Sequence, residues 1–308
     1  MNLRISTAIF YSAGLSFFLF AAAEMVPVIG WIANFFCPVP LIILTLQFGW
    51  PASFISGIIG TLLIFRVFEF QAGLQYFFWC AAVALVMAGM IRKKFSAGKT
   101  IAAGSAVFLA GTVLMLLFLL FVMRENPVKE FFEQLSANIN QSLRQMGDNP
   151  DLLKDAGISR ITGFLYKIWY GLLVIYAVTT VVLYYEAGNL ILRHLKMPAV
   201  SMPGFCDWKI PDWWIWEFIL GAVCAISGKY FKIGIAEILG LNLLIIAVFI
   251  CFIVGLSILG FYFRKWRLPF LLRWLGYFVA ALNLWPVVVV AGLFNTWFDF
   301  RRTKGGNQ

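Results

Sequence analysis

Apolar residues run through this chain in long unbroken stretches, at roughly 5–24, 38–48, 51–68, 72–91, 101–123, 161–185, 213–228, 233–260, 268–283 and 284–300. Most are too long and too uniformly apolar to be strands or one-faced helices, and they match the length of a bilayer crossing. They predict an all-α fold, a polytopic transmembrane helix bundle of about 8–10 membrane segments. One polar, amphipathic stretch interrupts them and divides the chain into N-terminal transmembrane helices (1–123), an extracytoplasmic insertion (124–160) and C-terminal transmembrane helices (161–308).

Within the insertion, Asn126-Pro127 supplies a cap and a first helical turn, and Glu130 and Glu133 suit the positive end of the helix dipole. Val128, Phe131, Phe132, Leu135, Ile139, Leu143 and Met146 recur on one face, so a helix lying on the outer membrane surface or lidding the bundle is expected. Gly147-Asp148-Asn149-Pro150 then reads as a turn, and Gly157 as the end of a second short helix. The 38–48 stretch is short and follows Pro27, Gly30, Pro38 and Pro40. A broken or re-entrant element is expected there, because proline removes a backbone donor and biases its predecessor away from helix. The 268–300 region admits one long tilted helix or a hairpin turned near Asn283-Leu284-Trp285-Pro286.

Positive charge chooses between these two. With a hairpin, the cytoplasmic side receives Arg4, Arg92, Lys93, Lys94, Lys99, Arg193, Lys196, Lys209, Arg264, Lys265, Arg267, Arg301, Arg302 and Lys304, which is 14 of the 24 Lys and Arg residues. Eight fall outside, and Lys167 and Arg273 lie inside spans. A single helix would strand the basic tail outside, so the positive-inside bias selects the hairpin with both termini cytoplasmic. The first stretch, with Arg4 and the Ala21-Ala22-Ala23 run, resembles a secretory signal, but the immediate return to apolar sequence favours an uncleaved first helix.

Composition narrows the function. The chain is 62% hydrophobic and only 12% charged, half the roughly 25% of a soluble domain. The net charge of +10 sits at the ends of apolar runs, which fits membrane orientation and a lipid-bilayer environment and argues against nucleic acid. Cys37, Cys80, Cys206, Cys224 and Cys251 form no C-x-x-C pair and read as small hydrophobes, and with His194 the single histidine no metal or haem cofactor is expected. Gly255-Leu256-Ser257-Ile258 lacks the second glycine of an intramembrane serine protease motif, and no phosphate-binding or zinc motif is present. No enzyme is expected, since no nucleophile, base and orienting group assemble.

The remaining candidates are ionisable residues within or at the edges of spans, each costing at least about 2.5–3.5 kcal/mol at mid-bilayer. Glu24 ends the first span, Arg66 and Glu69 are spaced to pair at i, i+3, and Lys167 sits a turn or two inside its span. These four are the candidate ligand-binding set, on the outward side and beneath the amphipathic segment. Glu237 stands four residues into an apolar span with Asn242 five further on, about 140° around a helix, so the two do not closely share a face. Glu217 follows a cluster of Trp208, Trp213, Trp214 and Trp216 that reads as an interfacial belt. Small-residue series at Ala8/Ser12/Ser16, Ser56/Gly60 and Ala102/Ala106/Ala110 read as helix-packing surfaces, internal or towards a membrane protein partner.

Pro38-Val39-Pro40 leading to Gln47-Phe48-Gly49-Trp50, the Trp208-Lys209-Ile210-Pro211-Asp212-Trp213-Trp214 entry, and the closing Gly292-Leu293-Phe294-Asn295-Thr296-Trp297-Phe298-Asp299-Phe300-Arg301-Arg302 resemble the YybS-like family of bacterial polytopic membrane proteins of unknown function. That family is in turn similar, in its first half, to the substrate-binding S components of energy-coupling-factor vitamin transporters. The resemblance implies capture of a small molecule from outside, in concert with a transmembrane coupling subunit and ATPases. The chain departs from the S-component pattern in having more spans and in carrying Ser12 and Ser16 where the coupling face has alanine. Two functional readings stand: small-molecule binding or transport, and a non-transporting membrane scaffold that holds partner proteins.

Overall fold

The computed structural model describes residues 3–26, 29–124, 126–145, 155–197, 202–208, 211–298 and 300–301. Among them every regular element is helical. Among the described residues seven helices are long and apolar enough to cross a membrane: Leu3–Met25, Gly30–Phe48, Trp50–Val67, Phe70–Arg92, Ala97–Met123, Trp169–His194 and Gly234–Lys265. The chain divides into two compact units, Met1–Gln134 with Tyr176–Met202, and Leu135–Ile175 with Pro203–Gln308.

The first unit contains α1 (Leu3–Met25), α2 (Ile29–Phe36), α3 (Val39–Phe48), α4 (Trp50–Val67), α5 (Phe70–Gln75), α6 (Ala82–Arg92) and α7 (Ala97–Phe118). The break expected near Pro38 falls at Cys37-Pro38, where a two-residue turn separates α2 from α3, and the pair together has the length and apolarity of one span. Tyr76–Ala81 joins α5 to α6 as a π-helical turn, and Leu119–Met123 extends α7 the same way. Helix α1 packs on α2, α3 and α4, and α6 packs on α3 and α7. With no hydrophobic drive between helices in lipid, small residues set these contacts. Ser12, Ser16 and Ser56 are buried, and Ser56 Oγ donates to the Ile9 carbonyl at 3.1 Å, so two of the three small-residue series face inward. Ala102, Ala106 and Ala110 remain on the exposed face of α7.

The insertion carries α8 (Pro127–Gln145) and α9 (Asp155–Lys167). The Asn126 cap is made, with Lys129 N–H donating to Asn126 Oδ1 at 3.1 Å, and Phe132 is buried while Phe131 is exposed. Gly157 lies inside α9 near its start and does not end a helix, which corrects the sequence expectation. The turn expected at Gly147–Pro150, and Leu143 and Met146 side chains, lie outside the described residues. After a one-residue break at Ile168, α10 (Trp169–His194) begins in the second unit and continues into the first at Tyr176.

The second unit is organised on α12 (Gly234–Lys265), whose 32 residues span about 48 Å, well beyond the roughly 30 Å hydrocarbon core. Helix α11 (Ile215–Tyr230) runs antiparallel beside its N-terminal half, with Gly228 against Glu237 and Gly221 against Leu243 and Leu244. Helices α13 (Phe270–Leu282) and α14 (Trp285–Phe294) meet at 94°, and at 13 and 10 residues, about 20 and 15 Å, neither crosses a bilayer alone. The expected hairpin of two crossings is thereby corrected to a right-angled pair. Pro286 does occupy the first turn of α14, as its fixed φ favours. Helix α14 lies antiparallel to the middle of α12, Val288 against Gly255 and Gly292 against Cys251. The chain then returns, so that the Phe300 carbonyl accepts from Tyr262 Oη at 2.9 Å and Arg301 donates to Ser257 Oγ at 3.0 Å.

Candidate functional site

In the second unit the buried Asn242 of α12 lies against the break between α9 and α10. In an unbroken helix the Gly171 N–H would bond to the Lys167 carbonyl four residues earlier. Instead the buried Asn242 side chain of α12 meets both: its Nδ2 donates to the Lys167 carbonyl at 2.7 Å, and its Oδ1 accepts from Gly171 N–H. The second amide hydrogen goes to Ile238 O at 2.7 Å, which uses both donors of the group. In lipid an orphaned backbone group has no water to turn to, so one asparagine at this place satisfies two. Only glycine fits at 171, because a Cβ there would lie 2.9 Å from the Asn242 carbonyl and in hard contact with Ile245.

One turn towards the start of α12, Glu237 Oε1 receives a hydrogen bond from Lys167 Nζ at 2.8 Å. The pair is half-wet, with side chains 44% and 25% exposed. Glu237 and Asn242 therefore do work on a single partner despite their angular separation, the one on its ammonium and the other on its carbonyl. The ion pair forms part of an open groove of about 540 Å³ lined by Arg160, Gly163, Phe164, Lys167, Ala225, Ile226, Lys229, Glu237 and Leu241. Three cations face one carboxylate there, and among the described residues neither Arg160 nor Lys229 has an ion-pair partner. Apolar side chains stand among them on the same helices, Ile226 70% and Phe164 50% exposed.

The other candidate residues lie in the first unit. Helices α1 and α4 run parallel, Ile9 level with Ser56 and Ser16 level with Tyr76 and Gly60, so Glu24, Arg66 and Glu69 share one end of that unit. All three are exposed, and among the described residues no ion pair joins Arg66 to Glu69 or either of them to Glu24. Lys167 belongs to the second unit and has Glu237 as its partner there.

Deeper in the first unit lies a buried cluster that sequence reading missed. Tyr76 Oη donates to Ser16 Oγ at 2.9 Å, and Ser16 Oγ donates to the Cys37 carbonyl at 2.8 Å. Cys80 Sγ stands 3.0 Å from Cys37 Sγ, and Cys37 Sγ donates to the Ser16 carbonyl at 3.4 Å. The π-helical turn places both Tyr76 and Cys80 on this cluster, and the α2–α3 break offers the Cys37 carbonyl. Cys37 and Cys80 thus act as polar contacts and not only as fillers. Among the described residues no group of three or more His, Cys, Asp or Glu is placed to hold a metal.

Comparison with known proteins gives one family. The family model described as a predicted membrane protein (DUF2232) matches residues 14–295, nearly the whole chain. No curated protein and no solved structure matches.

Proposed function

The chain belongs to the DUF2232 family of predicted membrane proteins, and from that premise we propose that it binds a small molecule in the bacterial cytoplasmic membrane and serves its transport. One observation carries this reading: the groove of α9, α11 and α12 sets Arg160 and Lys229 beside a Lys167–Glu237 pair that is already complete. A purely structural ion pair has no use for two additional cations on the same opening, whereas a ligand site does. The helix count lends support, since five of the seven membrane-length helices lie in the first unit and most of a sixth joins them, as in an S-component-like body.

In this reading the protein is multi-pass with both termini cytoplasmic, the 16-residue α11 making a short eighth crossing beside α12, and Glu24, Arg66 and Glu69, exposed at one end of the first unit, are further candidate contacts. It has no catalytic step of its own, and energy for transport comes from a partner subunit. Native mass spectrometry of the full chain, gently extracted from its own membrane, tests the proposal. A defined small molecule retained by the wild-type protein and lost on substituting groove residues is the expected result. Protein without any retained molecule overturns it.

The second reading is a non-transporting scaffold, favoured by the exposed Ala102/Ala106/Ala110 face of α7, which is small enough for another helix to approach. A stoichiometric protein partner that copurifies without ligand, and is lost when 126–157 is deleted, would replace the first reading with this one.

A further inference from the structure

We infer that the groove of the second unit receives a phosphate group carried by an apolar molecule. The inference rests on the reading of that groove as a ligand site and specifies what enters it. Arg160 and Lys167 reach it from α9, Lys229 from the last turn of α11 and Glu237 from the first turn of α12. Glu237 is engaged by Lys167, so the formal surplus of two positive charges rests on the exposed Arg160 and Lys229. A compact anion with several acceptor oxygens satisfies a guanidinium fork and an ammonium point charge together, which is the chemistry of phosphate recognition.

The apolar residues interleaved with these charges say what the phosphate is attached to. Phe164, Ile226 and Leu241 line the same opening without offering a polar side-chain atom, so a bare ion or a sugar phosphate would leave them wet. An acyl or prenyl chain covers them. The α11–α12 connection supplies an independent indication of depth. Tyr230, Phe231, Ile233 and Ile235 are 80%, 67%, 54% and 75% exposed, with Lys229 before them and Lys232 among them. An apolar tip with a basic rim is the composition of a segment seated in the headgroup layer, where its lysines snorkel towards phosphates. The groove opens beside that tip.

A membrane phospholipid and a soluble phosphate with an apolar chain present the same chemistry, and the test separates them. Full-length protein is exchanged into nanodiscs containing equal phosphatidylglycerol and phosphatidylcholine, and lipids that remain bound on ejection are counted by native mass spectrometry. Octyl phosphate and octyl glucoside are then titrated as soluble probes. The expected result is a retained phosphatidylglycerol or bound octyl phosphate, with the preference over phosphatidylcholine or octyl glucoside lowered about tenfold in the Arg160→Gln/Lys229→Gln variant, equivalent to about 1.4 kcal/mol. The species that protein extracted from its own membrane carries then names the source: a membrane phospholipid assigns the site to the membrane, and a water-soluble phosphate ester assigns it to a soluble ligand. Both side chains are exposed, so the variant is expected to melt with the wild type, and Lys167–Glu237 is untouched.

Equal retention of phosphatidylglycerol and phosphatidylcholine with no octyl phosphate binding overturns the inference, as does a variant that binds like the wild type. A native ligand without phosphate overturns it while leaving the binding reading intact. Protein with no native ligand and no probe bound overturns both.

Discussion

Asn242 donates to the carbonyl of Lys167 at 2.7 Å from a neighbouring helix, and so stands where the hydrogen bond of an uninterrupted α9–α10 helix would run. The side chain of the same residue, Lys167, donates to Glu237 of that neighbouring helix at 2.8 Å. One buried amide thus links a backbone irregularity to the only ion pair lining the groove among the described residues.

Asn242→Leu removes both backbone partners at once. The expected loss is about 1–3 kcal/mol, the lower end applying where Lys167 and Gly171 can bond directly as the helix recloses. Asn242→Asp keeps an acceptor for Gly171 N–H but loses both donors and adds a charge a turn and a half from Glu237, so it should be worse than leucine. Thermal melting in detergent gives the order, and an aspartate variant as stable as the wild type would remove Asn242 from this role.

The Lys167–Glu237 pair is partly screened, with side chains 44% and 25% exposed, so its coupling is expected near 1 kcal/mol. Glu237→Gln and Lys167→Met should each destabilise the protein, and the double variant should cost less than their sum. Raising the salt concentration should shrink the difference. Strict additivity in this double-mutant cycle would mean that the pair contributes no interaction.

In the first unit, Gly60 is held by Tyr76. A Cβ at position 60 would lie 2.6 Å from Tyr76 Oη and 3.0 Å from Cζ, against a ring that is fully buried. Gly60→Ala is expected to cost about 1–3 kcal/mol by overpacking. Gly57→Ala, whose Cβ would meet only Ala81 Cβ at 3.3 Å, should cost less. Tyr76→Phe removes the bond to Ser16 at about 1 kcal/mol but also the atom nearest the new methyl. Combined with Gly60→Ala, it should therefore be less than additive in melting experiments.

The bilayer-length helices were legible because apolar run length is a direct physical requirement of crossing lipid. The interruption at Pro38 was legible for the same kind of reason, a missing donor. Glu237 and Asn242 stood out as costly residues, but their joint role did not, because angular spacing on one helix says nothing of a partner that is itself broken at Ile168. Cys37 and Cys80 are 43 positions apart, and their sulfurs meet at 3.0 Å across the α2–α3 break and the π-helical turn, neither of which periodicity reveals. Gly157 misled because glycine marks a helix end only when the chain needs a left-handed residue there, whereas here it sits near the start of α9.

Pro286 was correctly read as the first turn of a helix, yet the reversal inferred with it has a different form, and topology offers its test. Charge bias asked for Arg301 to share a side with Arg264 and Lys265, and two full crossings were the simplest way to bring it back. Helices α13 and α14 are too short for that, but Phe300 returns to Tyr262 and Arg301 to Ser257, near the same end of α12 as Arg264 and Lys265. The bent pair is therefore expected to enter and leave on one side, as a re-entrant element, with its irregular backbone held against α12. A reporter fused after Arg267 and another after Gln308 should report the same membrane face. Glycosylation or phosphatase reporters on opposite faces would show that α13 and α14 together make one complete crossing, and would place the basic tail outside.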